Sequence, residues 1–455
     1  MHARELVAEL SRVAGAGAVL APPPAVYETD STGPTGLRGR PDAVVLPGDA
    51  ETVRAVVAWC YERDVAIVPR GGGTGFAGGA VPITGGVVVD LSRMTAVRSF
   101  HPLLWRVHVE AGMPTAALHR LARESGLWFP PDPGAAEQSQ IGGNIATNAG
   151  GPHAFRYGTT GAWVTGLEAV IPPGDLITVG GAVRKDVAGY DVKRLLIGSE
   201  GTLGIVTAAW LRLIPAPELA IPVVATYASP EAGCAAIEAV LGNGLEAAAI
   251  EYADGGALAI AGRALGKLAE GAGFLVLAEA DGYAAAARDL ADRLADVLGE
   301  NARAVRRLEP GEESAAVWRW REGVSGTVTA ARGGRLSEDI AVPLDRLAEA
   351  VLGTVEIGRR HGLDACSWGH AGDGNLHSSF LFDPGDAGLA AARAAAEELF
   401  ALAATLGGTI SGEHGLGLLK AGRLGLQWTP AAVALHQRIK HAFDPRDLMN
   451  PGKKM

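Results

Sequence analysis

The chain has 455 residues, more than one hydrophobic core usually serves and enough for two or three domains. Hydrophobic residues make up 48% and charged residues 20%, a globular composition rather than a disordered one; a net charge of −10 with no Lys/Arg cluster argues against a nucleic-acid partner. The three cysteines, Cys60, Cys234 and Cys366, are odd in number and far apart. They exclude a disulfide framework and a Cys-x-x-Cys redox pair, point to a reducing compartment, and cannot by themselves hold an iron–sulfur cluster.

At the N-terminus Leu6, Leu10 and Val13 fall on one side of a short amphipathic helix, and Glu5, Glu9 and Arg12 interrupt any signal-like apolar core. No uncharged apolar run reaches the roughly 18 residues of a membrane span. Residues 43–46 read as a strand, Asp49–Arg63 as a helix capped by Asp49, and 65–68 as a second strand. A glycine-rich run follows, then a strand at 87–91. Further on come a strand at 107–109, a helix at 115–125, a second glycine-rich run, and strands to Leu213. Pro215-Ala216-Pro217 marks a domain boundary. Beyond it, strands at 221–227, 247–252 and 274–280 alternate with helices at 230–241, 256–265 and 284–298. This pattern predicts an α+β layer whose sheet is covered on one face. The alanine-rich stretch 387–406 is a helix by propensity.

Residues 69–79, Pro-Arg-Gly-Gly-Gly-Thr-Gly-Phe-Ala-Gly-Gly, hold six glycines in eleven positions. Such a segment suits neither helix nor strand but can turn backbone N–H groups around an anion, and Arg70 adds a fixed charge. A pyrophosphate is the natural guest. Two more segments share this character: 141–151, Ile-Gly-Gly-Asn-Ile-Ala-Thr-Asn-Ala-Gly-Gly, and 198–206, Gly-Ser-Glu-Gly-Thr-Leu-Gly-Ile-Val. Three loops of this kind suggest a long cofactor lying against backbone. The strand at 87–91 follows the first loop where a nicotinamide-binding Rossmann turn needs a helix, and no P-loop motif is present.

Near the C-terminal end, His370 and His377 flank Ala-Gly-Asp-Gly-Asn-Leu. A two-residue hairpin turn at Asp373-Gly374 sets these histidines directly opposite each other, roughly 5 Å apart at Cβ. Glu413 then completes a His₂Glu set with an open coordination position, for which zinc is favoured over manganese or iron. His414 follows directly and, in extended backbone, points the other way. Imidazole changes charge near neutral pH and suits removal of a hydroxyl proton.

Residues 70–79, Pro130-Pro131-Asp132-Pro133-Gly134 leading to Asn148-Ala149-Gly150-Gly151, and 198–206 resemble the FAD-binding segments of the vanillyl-alcohol oxidase flavoprotein superfamily. Gly369-His370-Ala371-Gly372-Asp373-Gly374-Asn375-Leu376-His377 and Ser411-Gly412-Glu413-His414-Gly415 resemble its branch that oxidises D-2-hydroxy acids or glycolate. The resemblance spans about residues 38–455. It implies an α+β fold: a two-lobed FAD-binding domain (38–216) after an N-terminal lead-in (1–37), an α+β substrate or cap domain carrying the metal site (217–420), and a segment (421–455) returning to the flavin domain. The FAD residues it implies are Arg70, Gly71, Gly72, Gly73, Thr74, Gly75, Pro131, Asp132, Ile141, Gly142, Gly143, Asn144, Thr147, Asn148, Gly150, Glu200, Gly201, Ile205, Val206 and Asn450. In relatives Glu200 faces the adenosine ribose. Some relatives carry a flavin-linking histidine where this chain has Thr74, so the FAD is expected to be non-covalent.

The same resemblance implies a divalent metal on His370, His377 and Glu413, His414 as base, and Arg321 as the clamp for the substrate carboxylate, with Ser325 and Arg335 nearby and Arg319 left to a surface salt bridge. Ser337 and Ser379 stand where hydroxyglutarate-type relatives carry a lysine and an asparagine, which argues against a dicarboxylate substrate. The expected activity is oxidation of a small D-2-hydroxy acid or glycolate to the 2-oxo acid. The alternatives are the flavin subunit of a multi-subunit glycolate oxidase with an iron–sulfur partner, a metal-dependent hydrolase, and a lyase-like flavoprotein. Expected partners are a small 2-hydroxy acid, an electron-accepting protein, quinone or iron–sulfur subunit, and a second copy in a homodimer. The expected location is the cytoplasm or the inner membrane face.

Overall fold

Short β-branched runs in the first part of the chain have no helical period and pair as strands. In the computed structural model, which describes residues 3–455, Ala43–Val45, Val87–Asp90 and Ile67–Arg70 lie side by side in parallel. Val19–Leu20 adds an antiparallel edge, giving a four-stranded sheet. The Ala50–Glu62 helix follows its strand and begins at Asp49, whose carboxylate accepts the Thr52 N–H at 2.7 Å. A second sheet of five antiparallel strands runs Val97–His101, Arg106–Glu110, Ile205–Arg212, Val164–Ile171, Asp175–Gly180 in spatial order.

The chain forms two compact units. The first comprises the chain up to Gly150, Gly158–Pro215 and Glu413–Met455; the second comprises Gly151–Tyr157 and Ala216–Gly412. In the first unit, the last residues return to the parallel sheet. Ile67 N–H donates to Leu448 O, Asn450 N–H donates to Ile67 O, and Ile67 bridges Met449 in parallel.

The second unit is built on a seven-stranded antiparallel sheet. Its order is Ala304–Arg307, Leu219–Tyr227, Phe274–Gly282, Ala249–Asp254, Asp364–His370, Asn375–Phe382, Gly334–Ala341. The expectation of a sheet covered on one face is wrong: helices pack on both. On one face the Pro230–Gly242 helix sits over Phe274, and the Leu347–Arg360 helix bonds through Thr354 to Ser378. On the other face the Gly255–Ala261 and Glu312–Arg332 helices pack through Leu258, Val317, Trp320, Val324 and Val328. Their partners there are Leu275, Leu277, Ala253, Trp368 and Leu381. The central strands are accordingly buried on both sides and carry near-continuous apolar runs, such as Phe-Leu-Val-Leu-Ala at 274–278.

Candidate active site

In the first unit the glycine-rich segments meet backbone to backbone. A Cβ on Gly72 would stand 2.0 Å from Gln138 O, and one on Gly71 would touch the Gly143 Cα at 3.4 Å. Gly73 has φ +69° and lies over the Arg70 guanidinium. That guanidinium is buried and donates to Thr29 O (2.8 Å) and Val26 O (3.1 Å), above the Tyr27 ring. Burial pushes its pKa down against the attraction of Asp30 and Asp90. Arg70 therefore underpins the loop from beneath through these bonds.

The second glycine segment is not a loop. Ile141–Thr147 is a helix, despite its poor intrinsic propensity. Its glycines explain the exception: a Cβ on Gly142 would lie 2.7 Å from the Ala111 Cβ, so only glycine lets the helix settle on that strand end. Its buried Asn144 donates to Thr115 Oγ1 (2.7 Å), and Thr147 donates to Gly143 O (3.1 Å). Asn148 ends the helix at φ 52°, its side-chain oxygen accepting from Thr159 and from the Gly161 N–H. Pro131 O accepts from His119, and Asp132 follows half-buried.

The third segment and the returning chain complete this surface. Glu200 (φ 55°) is buried, and its carboxylate accepts the Leu416 and Gly417 N–H groups at 3.0 and 2.6 Å. Gly201 packs on Pro69, and Ile205 and Val206 open the strand that pairs with 164–171. Asn450, in the left-handed region, donates to Gly79 O (2.9 Å) and Glu200 O (2.7 Å). His414 lies against Phe76 at the loop tip, ring centroids 4.9 Å apart, and a Cβ on Gly150 would meet Glu413. Gly75 and Gly143 have nothing within 4 Å of where a Cβ would be. Small residues with open space before them and main chain behind form a cradle that fits an extended, phosphate-bearing cofactor.

In the second unit the predicted residues gather on one sheet face, the face covered by the Glu312–Arg332 helix. The hairpin register differs from the expected one. Trp368, not His370, pairs with His377, because a 3-10 turn at Ala371–Asp373 and a left-handed Gly374 make a wider loop. A shift of two residues keeps every side chain on its face. The two histidines are therefore diagonal neighbours, their rings edge-on with centroids 5.3 Å apart. Pairing nitrogens of His370 and His377 lie within 4.8 Å, a spacing that one ion can span. Arg321 projects from the helix, is buried, and forms an ion pair with Glu251; its Nε meets no hydrogen-bond acceptor among the described residues. Arg335 is stacked on Trp368 and donates to Ser325 O (2.9 Å) and Ser325 Oγ (3.0 Å). Ser337 and Ser379 are bonded to each other at 3.0 Å. Arg319 pairs at the surface with Glu312.

Several residues on this face were not singled out from the sequence. Glu251 is wholly buried, opposite His370, and accepts its Nδ1–H at 2.6 Å. Burial pushes its pKa up, but Arg321 and His370 outweigh that and hold the carboxyl below its ordinary value. Asp339 is buried opposite His377 and accepts from Asn375 (2.6 Å) and Ser411 (2.8 Å). Glu279 binds His153 and Trp318, and Asp281 binds Arg156 and Tyr157, which fastens the 151–157 segment to the sheet. The available signal was the presence of acids within strands that bury most of their residues, Glu251 between Ile250 and Tyr252 and Glu279 between Ala278 and Ala280, since a buried charge needs a partner.

Comparison with known proteins places this two-unit fold and glycine cradle in a class, the FAD-binding oxidoreductases. The chain matches the family model for the FAD binding domain over residues 41–185 and that for FAD linked oxidases, C-terminal domain, over 216–454. It is 35% identical to the glycolate oxidase subunit GlcD of Bacillus subtilis, covering 94% of this chain and 91% of that protein. It is 36% identical to the D-2-hydroxyglutarate dehydrogenase of Xanthomonas citri (91% and 89%) and 33% to a D-lactate dehydrogenase of Archaeoglobus fulgidus (95% and 96%). The fold is shared with 4-ethylphenol oxidase from Gulosibacter chungangensis, at a TM-score of 0.79, 19% identity and coverage of 99% and 96%. The chain thus belongs to the FAD-linked oxidases. Among the described residues no helix is long and apolar enough to cross a membrane.

Proposed function

We propose that the protein oxidises a short D-2-hydroxy acid, of the size of D-lactate or glycolate, to the 2-oxo acid. The observation that carries this reading is the shared sheet face of the second unit, where a buried arginine with an unsatisfied Nε stands with two adjoining histidines. A guanidinium fits a carboxylate, and a histidine pair fits an ion that binds the neighbouring hydroxyl. Arg321 holds the substrate carboxylate and fixes the orientation of C2. His370 and His377, with Glu413, hold a divalent metal, zinc by preference; Nδ1 of His370 is directed at Glu251, which assigns Nε2 to the ion. His414 takes the hydroxyl proton. Bound FAD supplies the hydride acceptor, and a bound metal supplies a Lewis acid for the hydroxyl. The mutual bond of Ser337 and Ser379 offers no charge to a second carboxylate, while Arg335, bonded to Ser325 through Nη1, adds a further cation on this face.

The relatives named for glycolate oxidase subunit GlcD support a second reading, in which this chain is the flavin subunit of a larger enzyme. Its three buried free cysteines would leave the iron–sulfur centre to a partner chain. One experiment addresses both readings. The purified protein is mixed anaerobically with a panel of D- and L-2-hydroxy acids and glycolate, and flavin bleaching is followed, then reoxidation by a dye. Bleaching by a short D-acid or glycolate is expected. Bleaching by none of them refutes the substrate class, and slow reoxidation restored by a co-expressed iron–sulfur chain favours the subunit reading.

A further inference from the structure

We propose that Glu251 is a positioning residue that couples the carboxylate clamp to the metal-binding histidines; this rests on the hydroxy-acid reading above. Glu251 stands in the strand Ala-Ile-Glu-Tyr-Ala-Asp, between apolar neighbours, with none of its surface exposed. Removing a carboxylate from water is costly unless partners compensate it. Its neighbours on the same face, Ala253 and Leu277, belong to an apolar core that an aliphatic side chain would extend.

The strand register explains what the carboxylate does instead. Antiparallel pairing sets Glu251 directly across from His370, and its Oε1 accepts the Nδ1–H at 2.6 Å. This fixes the tautomer, turns Nε2 outward as the donor atom, and strengthens it as a ligand. The second oxygen meets Nη2 of Arg321, which arrives from the helix 70 positions further along the chain (321 − 251). One arm of the guanidinium is thereby tethered, while Nε stays buried with no acceptor among the described residues. The two oxygens of one side chain thus set the angle of a ligating imidazole and the angle of the clamp.

Asp339 occupies the equivalent place opposite His377, and its oxygens accept from Asn375 and Ser411, which braces the histidine loop. Glu251 is the residue through which the two functions share a support. Replacing it should therefore disturb both, whereas replacing Arg321 should disturb only one.

The test compares wild type, Glu251→Gln and Arg321→Met as FAD-loaded proteins. Zinc affinity is measured by competition with a chromogenic chelator, and anion binding by the change that oxalate causes in the flavin spectrum. For Glu251→Gln we expect zinc affinity to fall about 10- to 100-fold and oxalate affinity at least about tenfold. Arg321→Met should lose oxalate binding and keep zinc within about threefold. Wild-type zinc and oxalate affinities in Glu251→Gln overturn the proposal. If Glu251→Gln does not fold, the apolar pair Glu251→Leu/Arg321→Met replaces it; zinc affinity equal to that of Arg321→Met alone then overturns the proposal. His377→Ala separates the two levels. If it holds zinc as wild type does, the metal reading itself fails, whereas loss of zinc in His377→Ala with a normal Glu251→Gln sinks only the role of Glu251.

Discussion

Gly72→Ala tests whether the first glycine loop is shaped by its own packing or by its guest. The new methyl would lie 2.0 Å from Gln138 O, where real Cβ contacts do not fall below 3.0 Å, so main chain must move by about 1 Å or more. The opposing segment resists that movement. Gln138 and Ser139 N–H both donate to Ala135 O, and Ser139 O is held by Thr115. Overpacking of this kind costs about 1–3 kcal/mol, equivalent to a roughly 5- to 150-fold loss in FAD affinity if the bound form carries the strain. If instead the cofactor-free fold already carries that strain, its melting temperature should fall by about 2–12 °C with the affinity unchanged. Gly75→Ala is the control, because its Cβ meets nothing within 4 Å and its backbone needs no positive φ. It should leave the cofactor-free melt unchanged. Calorimetric titration with FAD and melting of both variants supply the readout. A Gly72→Ala protein that melts and binds FAD as wild type does would refute the reasoning.

Acid precipitation should release yellow flavin into the supernatant, because Thr74 occupies the position of the linking histidine; flavin kept on the pellet would contradict this. His414→Ala should slow anaerobic flavin reduction about 10²–10⁴-fold with a smaller effect on substrate affinity; bleaching at the wild-type rate would exclude it as the base. Arg321→Ala should instead raise the substrate concentration needed, by a factor equivalent to about 2–4 kcal/mol, since a charge-assisted partner is lost. Burial raises the Asp254 pKa from 3.8 to about 6. The folded state therefore binds this proton more tightly than the unfolded state does. The resulting stability is fully present below pH 4 and is lost as pH rises through 6, a change of about 3 kcal/mol. The stability difference between wild type and Asp254→Asn, measured by urea unfolding, should shift by that order between pH 4 and 7; a difference independent of pH would contradict it.

The sequence was most legible where a local signal and the tertiary structure agree. Asp49 caps its helix, and the alternating strands and helices after Pro217 form one sheet with its covering helices. The 141–147 helix was hidden because glycine opposes helix formation locally, and only the close approach to Ala111 favours it. A two-residue turn and the wider turn observed both satisfy the composition of the histidine loop. The face of both histidines was nonetheless right, because the error in register was an even number. Glu251 was invisible as a site residue because its meaning lies in a register between strands 119 residues apart, which no local pattern encodes.

The route of the chain has a consequence for how the protein is made. The edge of the strand at 67–70 is closed by residues 448–450, and Asn450 reaches the glycine run from 371 residues further along the sequence. A ribosome must therefore translate the entire second unit before the cradle can acquire its last wall. The sheet of residues 216–412 can assemble while synthesis continues, but the first unit waits as an unfinished shell. Cofactor capture becomes a late event, and a chain truncated only a few residues early would be expected to emerge colourless.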